Sequence, residues 1–121
     1  MIKGLRSIYP DIELSVSWTT RGRRDGEVNG REYRFVTPRQ FDVMRAKGRF
    51  AEWARVHNFF YGTPGRQLDR CVKGGRDMLL DIDVQGARKI KRVYRDAVAI
   101  FLLPPSMREL ARRLARRGTE G

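Results

Sequence analysis

Four groups of residues carry enough polar chemistry to build a site. Ser17, Thr19 and Thr20 run directly into Arg21, Arg23 and Arg24. Hydroxyl donors beside guanidinium forks suit the oxygens of a phosphate monoester, because hydrogen bonds with an ionised partner are the strong ones. Taken alone, the stretch also reads as a solvated basic loop. Glu52 alternates with Phe50 and Ala54 toward the interior side of a strand, where a charge needs partners. One carboxylate accepts both parallel N–H donors on the Watson–Crick edge of guanine, a pair adenine does not offer. The structural alternative is a salt bridge to an arginine.

Tyr61-Gly62-Thr63 sets a phenol and a hydroxyl around a glycine, beside Phe59 and Phe60. These are donors for a phosphate and for the O6 of guanine, or else part of an aromatic core at a turn. Asp81 and Asp83 in L-L-D-I-D-V-Q-G alternate on one strand end. Paired acids there suit magnesium, a sugar or a base; Asp83 alternatively caps the following helix. His57 reads as a packing residue.

The elements that must position these groups follow from pattern. Residues 1–9 end a helix, and Glu13–Trp18 alternates as a strand. Residues 19–32 form a loop, and 33–36 a short strand. Thr37-Pro38 starts a helix that turns Phe41, Val43 and Met44 inward. Strands are expected over 49–56 and 59–62, and a helix over 65–73. D-M-L-L-D-I-D (77–83) and A-V-A-I-F-L-L (97–103) read as buried strands, separated by a helix over 85–93. Ser106 and Glu109 form a capping box for a last helix, with Leu110 and Leu114 inside. Apolar runs alternating with helices imply an α/β fold with a parallel sheet, into which residues 33–62 intrude as a small mixed insertion. Ligands of such sheets sit beyond the strands' carboxyl ends, where Asp81 and Asp83 fall.

Composition narrows the function classes. The 121 residues suffice for at most one ordinary domain. No apolar run approaches the roughly 18 residues a membrane span needs, and the N-terminus does not read as a secretory signal. One cysteine and one histidine cannot build a nitrogen–sulfur metal cage, and a lone cysteine fits a reducing cytoplasm. The net charge of +12, carried mostly by arginine, points to anionic partners without choosing among them.

In their order and spacing, S-V-S-W-T-T-R-G-R-R-D-G-E-V-N-G-R-E-Y-R-F-V, G-R-F-A-E-W-A-R-V-H-N-F-F-Y-G-T, D-M-L-L-D-I-D-V-Q-G-A-R-K-I-K and I-F-L-L-P-P-S-M-R-E-L-A-R-R-L-A-R-R-G-T-E resemble successive motifs of the guanylate kinases. The resemblance covers essentially the whole chain. It implies an α/β, three-layer P-loop kinase-like parallel sheet core, occupying residues 1–32 and 63–121, with a GMP-binding insertion at 33–62. It implies transfer of the γ-phosphoryl of ATP to GMP, with Mg2+ accompanying ATP and no tightly bound cofactor. Arg21, Arg24, Tyr33 and Tyr61 would bind the GMP phosphate, and Ser17, Glu52 and Thr63 would read guanine. Asp81 would sit near the nucleotide and magnesium, and Asp83 beside the base or its support. Arg113 and Arg117 would stand at the root of the lid, Arg117 reaching the transferring phosphate and Arg24 sharing the catalytic role. No membrane or specific nucleic-acid partner is implied, and the location implied is cytoplasmic. The alternative is a non-catalytic guanylate-kinase-like module that holds phosphorylated peptides.

Departures from the pattern also carry expectations. Arg23 stands where the family commonly has proline, which predicts a less stiff phosphate loop. No G-x-x-x-x-G-K-[ST], the loop that cradles ATP phosphates, occurs in the 121 residues. The expectation is therefore an incomplete core whose first strand lies outside this chain, ending within the lid. Such a chain has a GMP site and no ATP site.

Overall fold

A computed structural model describes residues 2–119, with side chains as far as Arg116. Helix α1 (Ile2–Ile8) leads into β1 (Glu13–Leu14) and β2 (Trp18–Thr19). After a long loop come β3 (Arg34–Phe35), α2 (Pro38–Ala46), β4 (Phe50–Val56), β5 (Phe59–Pro64) and α3 (Gly65–Lys73). The chain continues through β6 (Met78–Leu79), α4 (Val84–Val93) and α5 (Met107–Thr119). β1 pairs in parallel with β6, and the other strands form a mixed sheet in the order β3-β2-β5-β4. This is an α/β arrangement with the parallel pair as the described part of the core.

The expected strand over Glu13–Trp18 is two strands in two sheets. Ser15 N–H still donates to Leu79 on the β6 side, while Ser17 C=O accepts from Arg34 on the β3 side. The chain crosses between sheets in those few residues, so Ser17 and Thr19 belong to the mixed sheet.

α2 begins as its sequence prescribes. Thr37 accepts from Gln40 N–H, the Gln40 side chain accepts from Thr37 N–H, and Pro38 occupies the first turn. The helix buries Phe41, which stacks on Phe50 at 4.6 Å between ring centroids and lies against Phe60. Burying such a ring stabilises the fold by roughly 1.5–3 kcal/mol. Leu68 and Cys71 of α3 and Ile90 of α4 complete the buried apolar set with Ala54, and α2, α3 and α4 all pack on β4.

A bulge at the start of β4 corrects the simple alternation. Phe50 opposes Pro64 and Glu52 opposes Thr63, so two steps on β4 match one on β5. The extra residue reverses which side Phe50 faces. Phe50 joins Trp53, Phe60 and Trp18 on the α2 side, while Glu52 and Ala54 face the other way. Gly62 permits this arrangement, since a Cβ there would lie 2.8 Å from the Phe50 ring.

Other expectations fail where pairing partners are absent. Residues 97–103 form no strand, and Val98 and Ile100–Leu103 are 61–85% exposed. No strand lies beside them among the described residues, so an apolar run alone does not make a ladder. The strand expected over 77–83 shortens to Met78–Leu79, only half-buried beside its one neighbour. Val43 and Leu114 are exposed, and His57 occupies the exposed β4–β5 turn at φ 57°. Ser106 accepts from Glu109 N–H, but the Glu109 carboxylate binds Arg112 and Arg113, leaving the capping box half made.

Candidate functional site

Register brings Ser17, Glu52 and Thr63 onto one face. Thr19 opposes Phe35 on one side and Tyr61 on the other, and Tyr61 opposes Ala54. Opposed residues share a face, so this rung runs Phe35–Thr19–Tyr61–Ala54. Two residues along, Glu52 opposes Thr63, and extending the same registers sets Ser17 beside Thr63 and Tyr33 beside Ser17. Ser17, Glu52 and Thr63 thus line one face, away from α2. The open hollow of about 520 Å³ bordered by Trp18, Arg34 and Arg39 lies on the opposite side.

Glu52 and Thr63 are buried, and the Thr63 hydroxyl donates to Glu52 Oε1 at 2.7 Å. Burial pushes the Glu52 carboxyl above its ordinary range; the Thr63 bond and Lys89 oppose that shift, and Asp83 adds to it. Lys89 itself donates to the Trp53 carbonyl at 2.5 Å. Asp83 is the N-cap of α4, accepting from Gly86 N–H at 2.8 Å. Asp83 therefore supports the helix end that presses on Glu52, and the expected strand-borne pair with Asp81 is not formed. Asp81 is exposed in the preceding segment, near enough to Tyr33 to raise its phenol.

Gly86, which sequence reasoning passed over, is what lets α4 approach. A Cβ on Gly86 would lie 3.1 Å from Glu52 Cδ and Oε2 and 3.1 Å from Asp83 Oδ1. The legible signal was a glycine inside a helix, where alanine is preferred by about 1 kcal/mol. Gly86→Ala is expected to leave the melting temperature level or raise it slightly. By displacing Glu52 a few tenths of an ångström, it should weaken about tenfold any ligand that this carboxylate holds. Thermal melts and ligand titration on the same sample check both halves.

The other end of this face is built around Arg21, a buried guanidinium in bidentate contact with Glu27 at 2.9 and 3.0 Å. The Tyr33 and Phe35 rings pack over Arg21 at 5.2 and 5.8 Å. Glu27 holds the guanidinium proton more firmly, and Arg21 drives the Glu27 carboxyl below its usual range. Tyr33 contacts Tyr61 edge-on at 5.8 Å, and burial raises the Tyr33 phenol. Arg24 is exposed on the same loop. Arg23, which stands where a proline was expected, donates to the Glu27 carbonyl at 2.8 Å. Arg113 remains on α5 with its Nε on Glu109 and shares no hydrogen bond or ion pair with these residues. The Arg117 side chain lies outside the described residues.

The sequence pattern that defines the guanylate kinases matches residues 1–121. The chain belongs to the guanylate kinase family. It is 55% identical over 113 residues to the guanylate kinase of Syntrophotalea carbinolica, covering 93% of this chain and 54% of that protein. Identity to the guanylate kinase of Bordetella pertussis is 47% over 120 residues, covering 99% of this chain and 56% of that one. The fold superposes on the crystal structure of guanylate kinase from Anaplasma phagocytophilum with a TM-score of 0.83 at 41% identity, covering 94% of this chain and 61% of that one. The chain thus spans about half the length of the curated guanylate kinases it matches, and its sheets and helices are those of a P-loop kinase fold. Among the described residues no helix is long and apolar enough to cross a membrane.

Proposed function

We propose that this chain carries the GMP-binding half of an ATP:GMP phosphotransferase. Glu52 supports the reading most directly: a buried carboxylate, disfavoured by its surroundings, with Thr63 on Oε1 and no donor to Oε2 among the described residues. Two parallel N–H groups of guanine satisfy it, with Ser17 and Thr63 as further contacts to the base. Arg21, Arg24, Tyr33 and Tyr61 hold the phosphate, and residues 33–62 act as an insertion that closes over the nucleotide. Phosphopeptide binding would leave Glu52 without an evident use.

In the reaction, an oxygen of the GMP phosphate attacks the γ-phosphorus of ATP, and the bond to ADP breaks. The chain's own contribution is to position the acceptor and neutralise its charge. Arg24 does so from the loop, and Arg113 and Arg117 from the lid root. Magnesium belongs to the ATP substrate; Asp81, exposed and without an ion pair among the described residues, is the carboxylate suited to face it. No group of three or more His, Cys, Asp or Glu suited to a resident ion occurs among the described residues. The cytoplasm, where both nucleotides are found, is the proposed location.

Calorimetric titration with GMP, AMP and a phosphoserine peptide tests the proposal. GMP should bind at least about 100-fold tighter than AMP, because a site built for specific donors is left unpaired by the wrong base. Equal affinity for the two nucleotides, or preference for the peptide, would overturn it. In a coupled assay with ATP and magnesium, the 121-residue chain should give no turnover, since its sequence holds no G-x-x-x-x-G-K-[ST] loop.

A further inference from the structure

Glu27 touches every arginine of the T-T-R-G-R-R loop. Its Oε1 and Oε2 accept from Arg21 Nη1 and Nη2 at 3.0 and 2.9 Å, and Oε1 also accepts from Arg24 N–H at 2.8 Å. Glu27 N–H returns a bond to the Arg24 carbonyl, and Arg23 donates to the Glu27 carbonyl. The pair is well covered, with side-chain exposures of 9% for Arg21 and 17% for Glu27. Arg21 Nη1 also donates to the Gly22 carbonyl at 3.0 Å. These three bonds use both Nη1–H donors and one Nη2–H; the Nε–H and the second Nη2–H lie on one edge of the plane, and the Tyr61 phenol stands close enough to the guanidinium to hold its proton more firmly still. That edge is a side-on fork of the kind that grips a phosphate at two points. The aromatic rings of Tyr33 and Phe35 fix the plane itself.

We propose that Glu27 is the positioning residue of the phosphate subsite: by taking the end-on edge of Arg21 and the backbone of Arg24, it presents the remaining Arg21 edge to the phosphate. The proposal rests on the GMP reading above. Glu27 touches no substrate; it acts through the two arginines. The opposite reading of the same contacts is competition, with Glu27 occupying Arg21 until a phosphate displaces it.

Two measurements decide between them. Glu27→Gln keeps the size and removes the charge; it is expected to weaken GMP about tenfold while guanosine, which lacks the phosphate, stays within about twofold. Tightened or unchanged GMP binding overturns the proposal, as does an equal loss for guanosine. The second measurement needs no variant. In the parental chain with labelled carboxylates, the Glu27 Cδ resonance and the Arg21 Nη signals should stay those of an intact pair at saturating GMP; opening of the pair on GMP addition overturns the proposal. A parental chain that binds no GMP at all defeats the GMP reading and this proposal together. A parental chain that binds GMP, with Glu27→Gln unaffected, defeats this one alone.

Discussion

Glu52→Gln should reduce GMP affinity by about 100-fold or more while leaving the ligand-free protein as stable as the parent or more so. Hydrogen bonds to a charged partner contribute roughly 1.5–3 kcal/mol each, and guanine offers two to this carboxylate. The amide replaces one acceptor with a donor, which meets the guanine donors head-on. Thr63 can still donate to the remaining carbonyl, so the fold keeps its 2.7 Å contact. Removing the charge also relieves the burial that pushes Glu52 upward. Titration and melting of the same variant separate the two effects. If stability falls in step with affinity, Glu52 serves the fold rather than the ligand.

The pH dependence of Glu52 runs in two directions. Its folded carboxyl is raised above the ordinary 4.5, so the native state takes up this proton more readily than the unfolded chain. Its contribution to ligand-free stability therefore improves as pH falls toward the ordinary carboxylate range and worsens as pH rises. Binding needs the carboxylate, so GMP affinity should decline over the same descent. Glu52→Gln should lose that step and keep the one from the phosphate's own proton near pH ~6.

Arg21→Ala carries the second large effect, on the fold and the ligand at once. It strands the Glu27 carboxylate, and stranding one member of a buried pair costs roughly 3–5 kcal/mol. The 17% exposure of Glu27 lowers the expectation to about 2–3 kcal/mol. GMP affinity should fall about 100-fold with guanosine little changed. The double change Arg21→Met with Glu27→Leu removes both charges together and should recover most of the stability, since apolar replacement of a buried pair is often neutral. It should not recover GMP binding. Denaturant melts and titration of both variants check this; recovery of binding by the double variant would remove Arg21 from the phosphate site.

Much of this site was legible because strands alternate. Ser17, Thr19, Tyr61 and Thr63 fall on their face by counting in twos, and Thr37-Pro38 and Asp83 announced their helices by local capping chemistry. The bulge at Ala51 was not legible, since it exists only in the pairing of β4 with β5. Glu52 was rightly turned inward with Ala54, but Phe50 was wrongly placed beside them. Residues 97–103 had the composition of a buried strand, yet burial depends on a neighbour that no local pattern supplies. Glu27 escaped notice because nothing in a G-E-V-N-G turn reveals that its acid reaches back six positions to Arg21. Gly86 escaped because its value lies in a contact with Glu52, 34 residues earlier in the numbering.

The bulge also divides labour along a single strand. Upstream of Ala51, β4 offers Phe50 to the aromatic wall under α2; beyond it, Glu52 turns to the polar face and Trp53 back to the wall. Anchoring and the polar face are thereby written in separate, interleaved letters. Changes among Phe41, Phe50 and Phe60 alter how firmly the sheet is held, and changes among Ser17, Glu52 and Thr63 alter the polar face proposed to meet the base. The two sets point to opposite faces, so their side chains do not meet, and Lys89, beside Glu52 and over the Trp53 ring, is the residue that joins them. Straightening the bulge with Ala51 kept in register would end that separation, swinging the Phe50 ring into the face that now carries Glu52.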